Sequence, residues 1–405
     1  MRFASRISCL EDTSMLDAFE LIETDDMISF SAGFPSPETY PLDEIKESFI
    51  RVMEESGKEA LSYCATSGFS KLREIIRDRM ETKFGVSYGL EEIIITSGSQ
   101  QGLDMSGMLF VNKGDIVIFE APSYLGAVNA LRAHEAELVA VPTDREGIII
   151  SELVEILNKY GDRVKLIYVN PDFQNPTGRS WSEQRRKDFM ECIAHYDVPV
   201  IEDGAYAELS FENNLQKPLA YYDKDGQVIY LGTFSKTFCP GLRVAWLCAR
   251  GSVMEKYLIL KNAADLSSSA IAQMQMAYYL SNHDLDEHIK EITELYKKRC
   301  ETMASEIKRC FPKEVSFVMP RGGLFIWLEL PEGLDARELL KKAAEKKVAF
   351  VAGTAFYPNA SKNNELRLNF SNMNEVDIAK GIRILGDITK EYLREKEMEI
   401  GENVL

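Results

Sequence analysis

The stretch VIYLGTFSKTFCPGLRVAWLCA, residues 228 to 249, places a lysine between two strongly apolar segments. The runs VIYL and VAWLCA are typical of buried strands, and Pro240-Gly241 predicts a turn before the second run. Between them, Lys236 stands among small and hydroxyl side chains rather than among other charges. Most lysines are solvated, so an exposed loop lysine is the default interpretation. A functional amine at the end of a buried strand is the alternative, and it depends on what the other segments contribute.

The composition is that of a globular chain with an acidic surface. Hydrophobic residues make up 45% and charged residues 27% of the 405 residues, a length that predicts roughly two or three domains. The net charge of −17 disfavours binding to nucleic acids and anionic membranes. Seven scattered cysteines without a CxxC pair predict reduced thiols in a cytoplasmic protein. No HExxH motif is present, no metal centre is expected, and no apolar run approaches membrane-spanning length.

Short apolar runs alternate with amphipathic stretches from about residue 92 to residue 250. This alternation is typical of an α/β domain, in which helices cover both faces of a largely parallel sheet. After about residue 285, a long charged helix candidate leads into a mixture of strands and a helix, which predicts a smaller α+β domain. Ligands of open parallel sheets bind at the carboxyl ends of the strands, so the loops at those ends are the candidate site.

Two of these loops carry residues suited to anions and to oriented hydrogen bonds. In ITSGSQQGLDM, a strand ends and a helix begins near Ser99, whose hydroxyl and neighbouring N–H groups would suit an anion. Taken alone, the motif favours a plain helix cap at Ser99. In NPDFQNPTG, Asn175 precedes a proline that restricts its backbone, although the motif alone is also an ordinary turn.

A third loop follows the apolar run VPVI and begins with a pair of carboxylates. Asp203 comes at the end of this predicted buried strand, where a carboxylate is costly unless a cation meets it. Tyr206 follows three residues later and could direct its hydroxyl into the same space. Alternatively, Asp203 caps the next helix, with Glu202 as the solvated member of the pair.

The hydroxyl and guanidinium groups around Lys236 complete the set. Thr233, Ser235 and Arg243 are donors of the kind that bind phosphate, and a guanidinium suits phosphate better than an ammonium does. Together, the loops describe a ligand with a phosphate, a ring nitrogen that pairs with a carboxylate, a phenolic oxygen and an aldehyde that reacts with the lysine. Pyridoxal 5'-phosphate has all of these groups.

The motifs GSQQ, PSY, NPTG, EDxxY and SKxxxPGLR occur in this order, and the chain resembles the fold-type I pyridoxal-phosphate aminotransferases of class I/II. It is most similar to the subgroup that contains kynurenine and 2-aminoadipate aminotransferases. The resemblance extends from about residue 28 to the last strands. It implies an N-terminal segment over residues 1–45 that packs on the small domain and active site, a large cofactor-binding domain over 46–284 and a small C-terminal domain over 285–405.

The resemblance also implies residue roles. Lys236 would bond to the cofactor aldehyde and later move a proton, and Asp203 would keep the pyridine nitrogen protonated. Tyr206 and Asn175 would donate to the phenolic oxygen, and Tyr124 would stack on the ring. The phosphate would be surrounded by Ser99, Gln100, Thr233, Ser235 and Arg243.

Three further residues are implied by the resemblance to act on the substrate or across subunits. Arg367 would pair with the substrate α-carboxylate, for which its fork of donors is suited. Gly33 would allow the backbone to approach the substrate closely. Tyr63 would reach the phosphate site of a neighbouring subunit, so a homodimer with shared active sites is expected.

The expected function is that of a ping-pong aminotransferase acting on an α-amino acid and a 2-oxo acid, with 2-oxoglutarate as the expected acceptor. A lyase or decarboxylase on the same fold is an alternative, because the same cofactor serves several bond cleavages. A non-catalytic effector-binding domain of a transcription regulator is a third interpretation, which the acidic composition disfavours.

Overall fold

The computed structural model of the chain describes residues 2–10, 27–358 and 362–402. The strands are β1 (Ile28–Ser29), β2 (Ile93–Ser97), β3 (Ile116–Ala121), β4 (Glu137–Asp144), β5 (Gly147–Ile148), β6 (Val164–Val169), β7 (Val200–Asp203), β8 (Val228–Thr233), β9 (Val244–Cys248), β10 (Ser316–Phe317), β11 (Phe325–Glu329), β12 (Val348–Ala349), β13 (Val351–Ala352) and β14 (Glu365–Asn369). The α-helices are α1 (Leu42–Ala60), α2 (Ser70–Arg79), α3 (Ser99–Phe110), α4 (Leu125–Arg132), α5 (Ile150–Tyr160), α6 (Glu183–Ile193), α7 (Leu219–Tyr222), α8 (Gly251–Asp265), α9 (Ala270–Asn282), α10 (Leu285–Cys310), α11 (Ala336–Glu345) and α12 (Glu375–Glu402).

The first and larger sheet contains eight strands in the order β2-β9-β8-β7-β6-β3-β4-β5. Strands β8, β7, β6, β3 and β4 run parallel to one another, whereas β9 is antiparallel to both of its neighbours and β5 is antiparallel to β4. The predicted α/β fold with a mostly parallel central sheet is therefore confirmed.

Helices cover both faces of this sheet, which explains why its strands are continuously apolar. Successive side chains of a strand point to opposite faces. Ile93 and Ile95 accordingly pack in one core cluster with Leu72 of α2. Ile94, between them, packs in the other cluster with Leu103 of α3. A strand buried on both faces carries no polar alternation, as the sequence indicates.

A second sheet, in the order β10-β11-β14-β13, has four strands that pair in antiparallel fashion. Its core includes Tyr296 and Met303 of α10 together with Ile378 and Ile382 of α12. Helix α10 coincides with the long charged helix that the sequence predicts, and the carboxylate of Asp284 caps it by accepting from two backbone N–H groups. Such a cap satisfies donors that the first helical turn leaves free.

The chain segment before α1 pairs with the C-terminal part of the molecule. Strand β1 runs parallel to β12, and the Phe30 N–H donates to the Ala349 carbonyl at 2.8 Å. Residues 11–26 of the predicted N-terminal segment lie outside the described residues, and the proposed domain boundaries remain a prediction. Within the described ranges, no helix combines the length and apolar composition needed to cross a membrane.

Candidate active site

An open cleft of about 240 Å³ lies at the carboxyl ends of β6, β7 and β8 and also contacts the second sheet. All of the predicted site residues except Tyr63 line it: Gly33, Ser99, Gln100, Tyr124, Asn175, Asp203, Tyr206, Thr233, Ser235, Lys236, Arg243 and Arg367. These residues come from loops that are far apart in the chain. Because parallel strands end at the same edge of the sheet, the fold brings them together.

Lys236 follows β8 and extends into the cleft. Its Nζ donates to the Gly33 carbonyl at 2.9 Å. Burial lowers the pKa of Lys236 to about 8, and the charges of Arg367 and Arg243 act in the same direction while Asp203 opposes them. An amine with this pKa is partly unprotonated near neutral pH, which is the form that can act as a nucleophile.

Asp203 ends β7 and is almost fully buried. One of its carboxylate oxygens accepts from the Tyr168 hydroxyl at 2.7 Å, and the other accepts from the Ala205 N–H at 3.2 Å. Burial raises the pKa of Asp203, whereas these two donors and Lys236 act to lower it. The residue is a supported carboxylate that faces the cleft, and it caps no helix.

The alternative interpretation, in which Asp203 caps a helix and Glu202 is solvated, is wrong. Its carboxylate is buried and accepts from the Leu219 and Ala220 N–H groups at 2.7 and 3.0 Å, at the start of α7. Adjacent residues of a strand point to opposite faces, and both faces of this sheet are covered. Glu202 and Asp203 are therefore both buried, on opposite sides.

Asn170 links the Asp203 and Asn175 loops, and the sequence analysis did not single it out. Its side-chain oxygen accepts from the Asn175 N–H at 2.9 Å, and its side-chain nitrogen donates to the Asp203 carbonyl at 2.6 Å. Asn175 in turn donates to the Tyr206 hydroxyl at 3.5 Å. The signal for Asn170 was its place directly after a buried strand, the same signal that identified Asp203. No comparable sequence signal marks Tyr168, because within a strand it has the pattern of a core aromatic residue.

An unpartnered hydroxyl and a close approach of Arg243 to the backbone form a cradle at the start of α3. The Ser99 Oγ is enclosed and has no hydrogen-bond partner among the described residues. Gly98 has a positive φ of 81°, and a Cβ there would lie 1.9 Å from a terminal nitrogen of Arg243. The Arg243 guanidinium therefore lies against the helix start. Gly98 rather than Ser99 occupies the cap position, so the plain-cap interpretation of Ser99 is wrong.

Two hydroxyls and an aromatic ring complete this side of the cleft. The Thr233 hydroxyl donates to that of Ser235 at 2.9 Å. Tyr124 precedes α4, and burial raises its pKa to about 12, so the phenol stays protonated at neutral pH. The Gln100 side chain donates to the Gly126 carbonyl at 2.8 Å, which ties the start of α3 to α4.

Arg367 in β14 projects from the second sheet into the cleft. One terminal nitrogen donates to Asn175 Oδ1 at 2.7 Å and the other to the Ser31 carbonyl. Its guanidinium carbon lies 4.4 and 4.9 Å from the ring centres of Phe325 and Phe356. Burial lowers the pKa of Arg367 to about 10, which leaves it charged at neutral pH. Its Nε is enclosed and, among the described residues, unpartnered.

Tyr63 lies outside this assembly of residues. Its side chain is 88% exposed, on the turn that follows α1. Within one chain the fold does not bring it to the cleft.

The donor set fits pyridoxal phosphate. The enclosed Ser99 hydroxyl, the helix start and Arg243 suit a phosphate dianion, whereas Asp203 suits a protonated ring nitrogen. Lys236 offers a partly unprotonated amine, which suits an aldehyde. Each group of the cofactor thus has a chemically matched partner in the cleft.

Comparison with known proteins agrees with this chemistry. The family model for aminotransferase class I and II matches residues 25–385. The chain is 38% identical to aromatic-amino-acid aminotransferase 1 of Thermococcus litoralis, covering 97% of this chain and 95% of that protein. It is 35% identical to the 2-aminoadipate transaminase of Thermus thermophilus, covering 95% of each.

Among solved structures, the Pyrococcus horikoshii kynurenine aminotransferase superimposes with a TM-score of 0.92 at 38% identity. The alignment covers 96% of this chain and 97% of that one, and that structure is a complex with PMP, the amino form of the cofactor. The chain belongs to the class I and II aminotransferases and is a pyridoxal-phosphate-dependent transaminase.

Proposed function

We propose that this enzyme takes the amino group from an α-amino acid with an apolar or aromatic side chain and passes it to a 2-oxo acid. The observation that carries the proposal is the position of Arg367, which lines the cleft beside the apolar side chains of Leu125, Val351 and Phe356. A fork of donors beside an apolar wall fits the carboxylate of such a substrate together with its side chain.

Lys236 is proposed as the covalent anchor and the proton carrier. Its pKa of about 8 makes the amine a competent nucleophile near neutral pH and, later, a suitable acid or base. When bound, pyridoxal phosphate supplies an electron-withdrawing ring that accepts the electron pair of the bond broken at the substrate α-carbon. Once the substrate amine had displaced it from the aldehyde, the freed Lys236 amine would remove the proton from that carbon and later give it back.

Asp203, Asn175 and Tyr206 are proposed to bind the ring. A carboxylate beside the ring nitrogen favours its protonated form, and the Tyr168 hydroxyl keeps that carboxylate oriented. The Asn175 amide donates to the Tyr206 hydroxyl, and this proximity supports the proposal that both donate to one oxygen of the ring. Ser99, Gln100, Thr233, Ser235 and Arg243 are proposed to surround the phosphate, and Tyr124 to contact the ring face.

The substrate side chain is proposed to lie against Leu125, Val351 and Phe356, which line the cleft near Arg367. Gly33 also lines the cleft, and a Cβ there would lie 2.8 Å from the Phe325 ring, so a larger residue would displace that ring. Among the described residues that line the cleft, the cationic side chains are Lys236, Arg243 and Arg367, and each already has a proposed partner. The relatives named for aromatic amino acids and for kynurenine agree with an apolar wall.

The acceptor is proposed to be 2-oxoglutarate. Its α-carboxylate would pair with Arg367, as that of the donor does. Phe34 lines the mouth of the cleft and is exposed. The second carboxylate can therefore remain hydrated at this mouth, where it needs no buried cation.

A homodimer with shared active sites is proposed from the surface around Tyr63. Leu61, Tyr63, Ile259 and Leu266 are large apolar or aromatic residues that are all exposed. The Asn262 amide donates to the Thr66 hydroxyl at 3.2 Å. This bond places the segment that contains Leu61 and Tyr63 beside the segment that contains Ile259 and Leu266. Exposed apolar surface of this kind is typical of an interface.

We also propose a cytoplasmic location, since the described cysteine side chains are free thiols.

The test is a half-reaction of the purified, cofactor-loaded enzyme with a panel of amino acids. We expect apolar and aromatic amino acids to convert the bound cofactor to its amino form, and 2-oxoglutarate to reverse the conversion. Pyruvate serves as the alternative acceptor. Release of ammonia and a 2-oxo acid without an acceptor would instead identify a lyase, and conversion by acidic amino acids alone would contradict the apolar wall as the specificity element.

A further inference from the structure

A second buried carboxylate lies directly beneath the Asn170–Asn175 loop, outside the cleft. Glu120 is the penultimate residue of β3 and is 1% exposed. One of its oxygens accepts from the Asn170 N–H at 2.8 Å, and the other accepts from the Trp181 indole N–H at 2.9 Å. The Gln174 side chain also hydrogen-bonds to it. These donors come from the beginning, the middle and the end of one loop.

The contacts of Asn170 extend this arrangement to the cleft. Glu120 holds the backbone of Asn170, whose side chain holds the Asn175 N–H and the Asp203 carbonyl. Two residues that face the cleft are thus connected to Glu120 through one asparagine. Glu120 itself does not line the cleft.

The loop is also held from its other side by a buried cation. Arg186 of α6 is fully buried and pairs with Asp172 at 2.5 Å. It also donates to the Pro171 carbonyl at 3.1 Å. The loop is therefore attached to β3 by an anion and to α6 by a cation, and only the anion is connected to Asn175 by hydrogen bonds.

We propose that Glu120 is a positioning residue of the aminotransferase site, which fixes Asn170 and, through the Asn170 side chain, sets the placement of Asn175 and Asp203 against the cofactor. This inference rests on the proposed roles of those two residues. It assigns Glu120 no contact with cofactor or substrate.

The carboxylate form is required by the geometry, because every donor that reaches Glu120 needs an acceptor. A glutamine has nearly the same shape but presents an NH₂ group in place of one acceptor oxygen, so one buried N–H of the loop would lose its partner. Burial raises the pKa of Glu120 to about 7, opposed by the Asn170, Trp181 and Gln174 donors and by the charge of Arg186. Tyr168 is the other titratable group that interacts with it. Measurements at pH 8.5 keep the wild-type residue largely ionised.

The chain offers a matched control in Glu202. It is equally buried, burial raises its pKa to about 7 as well, and it accepts from two backbone N–H groups. Its hydrogen-bond donors are at α7, however, and neither belongs to the Asn170–Asn175 loop. Asp172 and Arg186 interact with Glu202 through their charges alone. Glu202→Gln therefore creates the same kind of defect without the proposed connection.

The experiment compares the Glu120→Gln and Glu202→Gln holoenzymes at pH 8.5. The readouts are the dissociation constant of pyridoxal phosphate, the visible circular dichroism of the bound cofactor, kcat, KM and the unfolding midpoint. For Glu120→Gln, we expect the dissociation constant to rise and kcat to fall roughly tenfold each, as for loss of one oriented hydrogen bond. The dichroism should change, and KM for the amino acid should move less than about threefold, because the Arg367 fork is untouched. Glu202→Gln should lower the unfolding midpoint alone.

A double-mutant cycle tests the connection through Asn170. In an Asn170→Ala background, Glu120→Gln should change the dissociation constant by less than about twofold. If the two effects are additive, if Glu202→Gln has the same effect as Glu120→Gln, or if Glu120→Gln leaves dichroism and kcat unchanged, the proposal is wrong. Glu120→Asp, which keeps the charge, provides the same comparison if the glutamine variant does not fold. A wild-type enzyme without transaminase activity would overturn the proposed function instead.

Discussion

Lys236 combines a reactive amine with a buried charge. Removing it should therefore abolish activity but stabilise the cofactor-free protein. Its pKa is lowered from 10.5 to about 8 in the folded protein. The unfolded chain therefore binds more protons here, so this residue destabilises the cofactor-free protein most below pH 8. Because it is partly exposed to the cleft, we expect Lys236→Met to stabilise the cofactor-free protein by only about 1–3 kcal/mol at pH 7. The gain should disappear as the pH approaches 10.5. Denaturant unfolding at several pH values measures it, while transamination is abolished.

Arg367 is suited to its proposed ligand by the shape of its guanidinium. Arg367→Lys keeps a positive charge but loses the fork, together with the contacts to Asn175 and Ser31. We expect KM for the amino acid to rise roughly 10- to 100-fold, as for the loss of a charge-assisted hydrogen bond. The dissociation constant of the cofactor, measured by equilibrium titration in the same variant, should change little. A variant with weakened cofactor binding and unchanged KM would place Arg367 elsewhere in the site.

At the scale of elements, the start of α3 depends on a glycine that admits Arg243. Gly98→Ala would place a methyl group 1.9 Å from the Arg243 guanidinium at a backbone φ of 81°. The guanidinium must then move, and we expect the dissociation constant of the cofactor to rise at least about tenfold. Gly114→Ala is the matched control, since Gly114 has a φ of 83° and its Cβ would meet nothing within 4 Å. That variant should lose about 1 kcal/mol of stability and keep its cofactor affinity. Equal affinities of the two variants would argue against the cradle.

The attachment of α6 to the site loop is an element-scale feature as well. Arg186→Met would leave the Asp172 carboxylate buried without its cation. We expect a loss of about 3–5 kcal/mol in the free energy of unfolding. Arg321→Met removes an exposed pair with Glu212 and should cost less than about 1 kcal/mol. Urea unfolding of both variants gives the comparison, and similar losses would show that burial of the first pair has no special effect.

At the scale of the whole molecule, the proposed shared site predicts complementation between two inactive chains. A hybrid dimer of a Lys236→Ala chain and a Tyr63→Ala chain would contain one site with both defects and one intact site. Random pairing of equal amounts should restore about a quarter of the wild-type activity. Co-expression with two affinity tags isolates the hybrid, and the two parent dimers are the controls. No recovery of activity in the hybrid would contradict the proposed shared site.

The sequence alone identified the elements that make the site. The apolar runs before Asp203 and Lys236 end at the strand boundaries that the structure shows, because a strand covered on both faces must be continuously apolar. The long helix over residues 285–310 was likewise evident from its charged, periodic pattern. The ordered loop motifs then limited the chemistry to one cofactor.

Only the tertiary structure decided which side chains support those residues. Glu120 and Glu202 both follow apolar runs, yet one is attached to the Asn170 loop and the other to α7. Periodicity shows that a residue is buried but not which donor it meets, since the partner comes from a distant part of the chain. For the same reason, Arg367 and Asn175 could be predicted as site residues from the sequence, but not their contact with each other. Their hydrogen bond joins residues 192 positions apart, so it depends on how the two sheets pack.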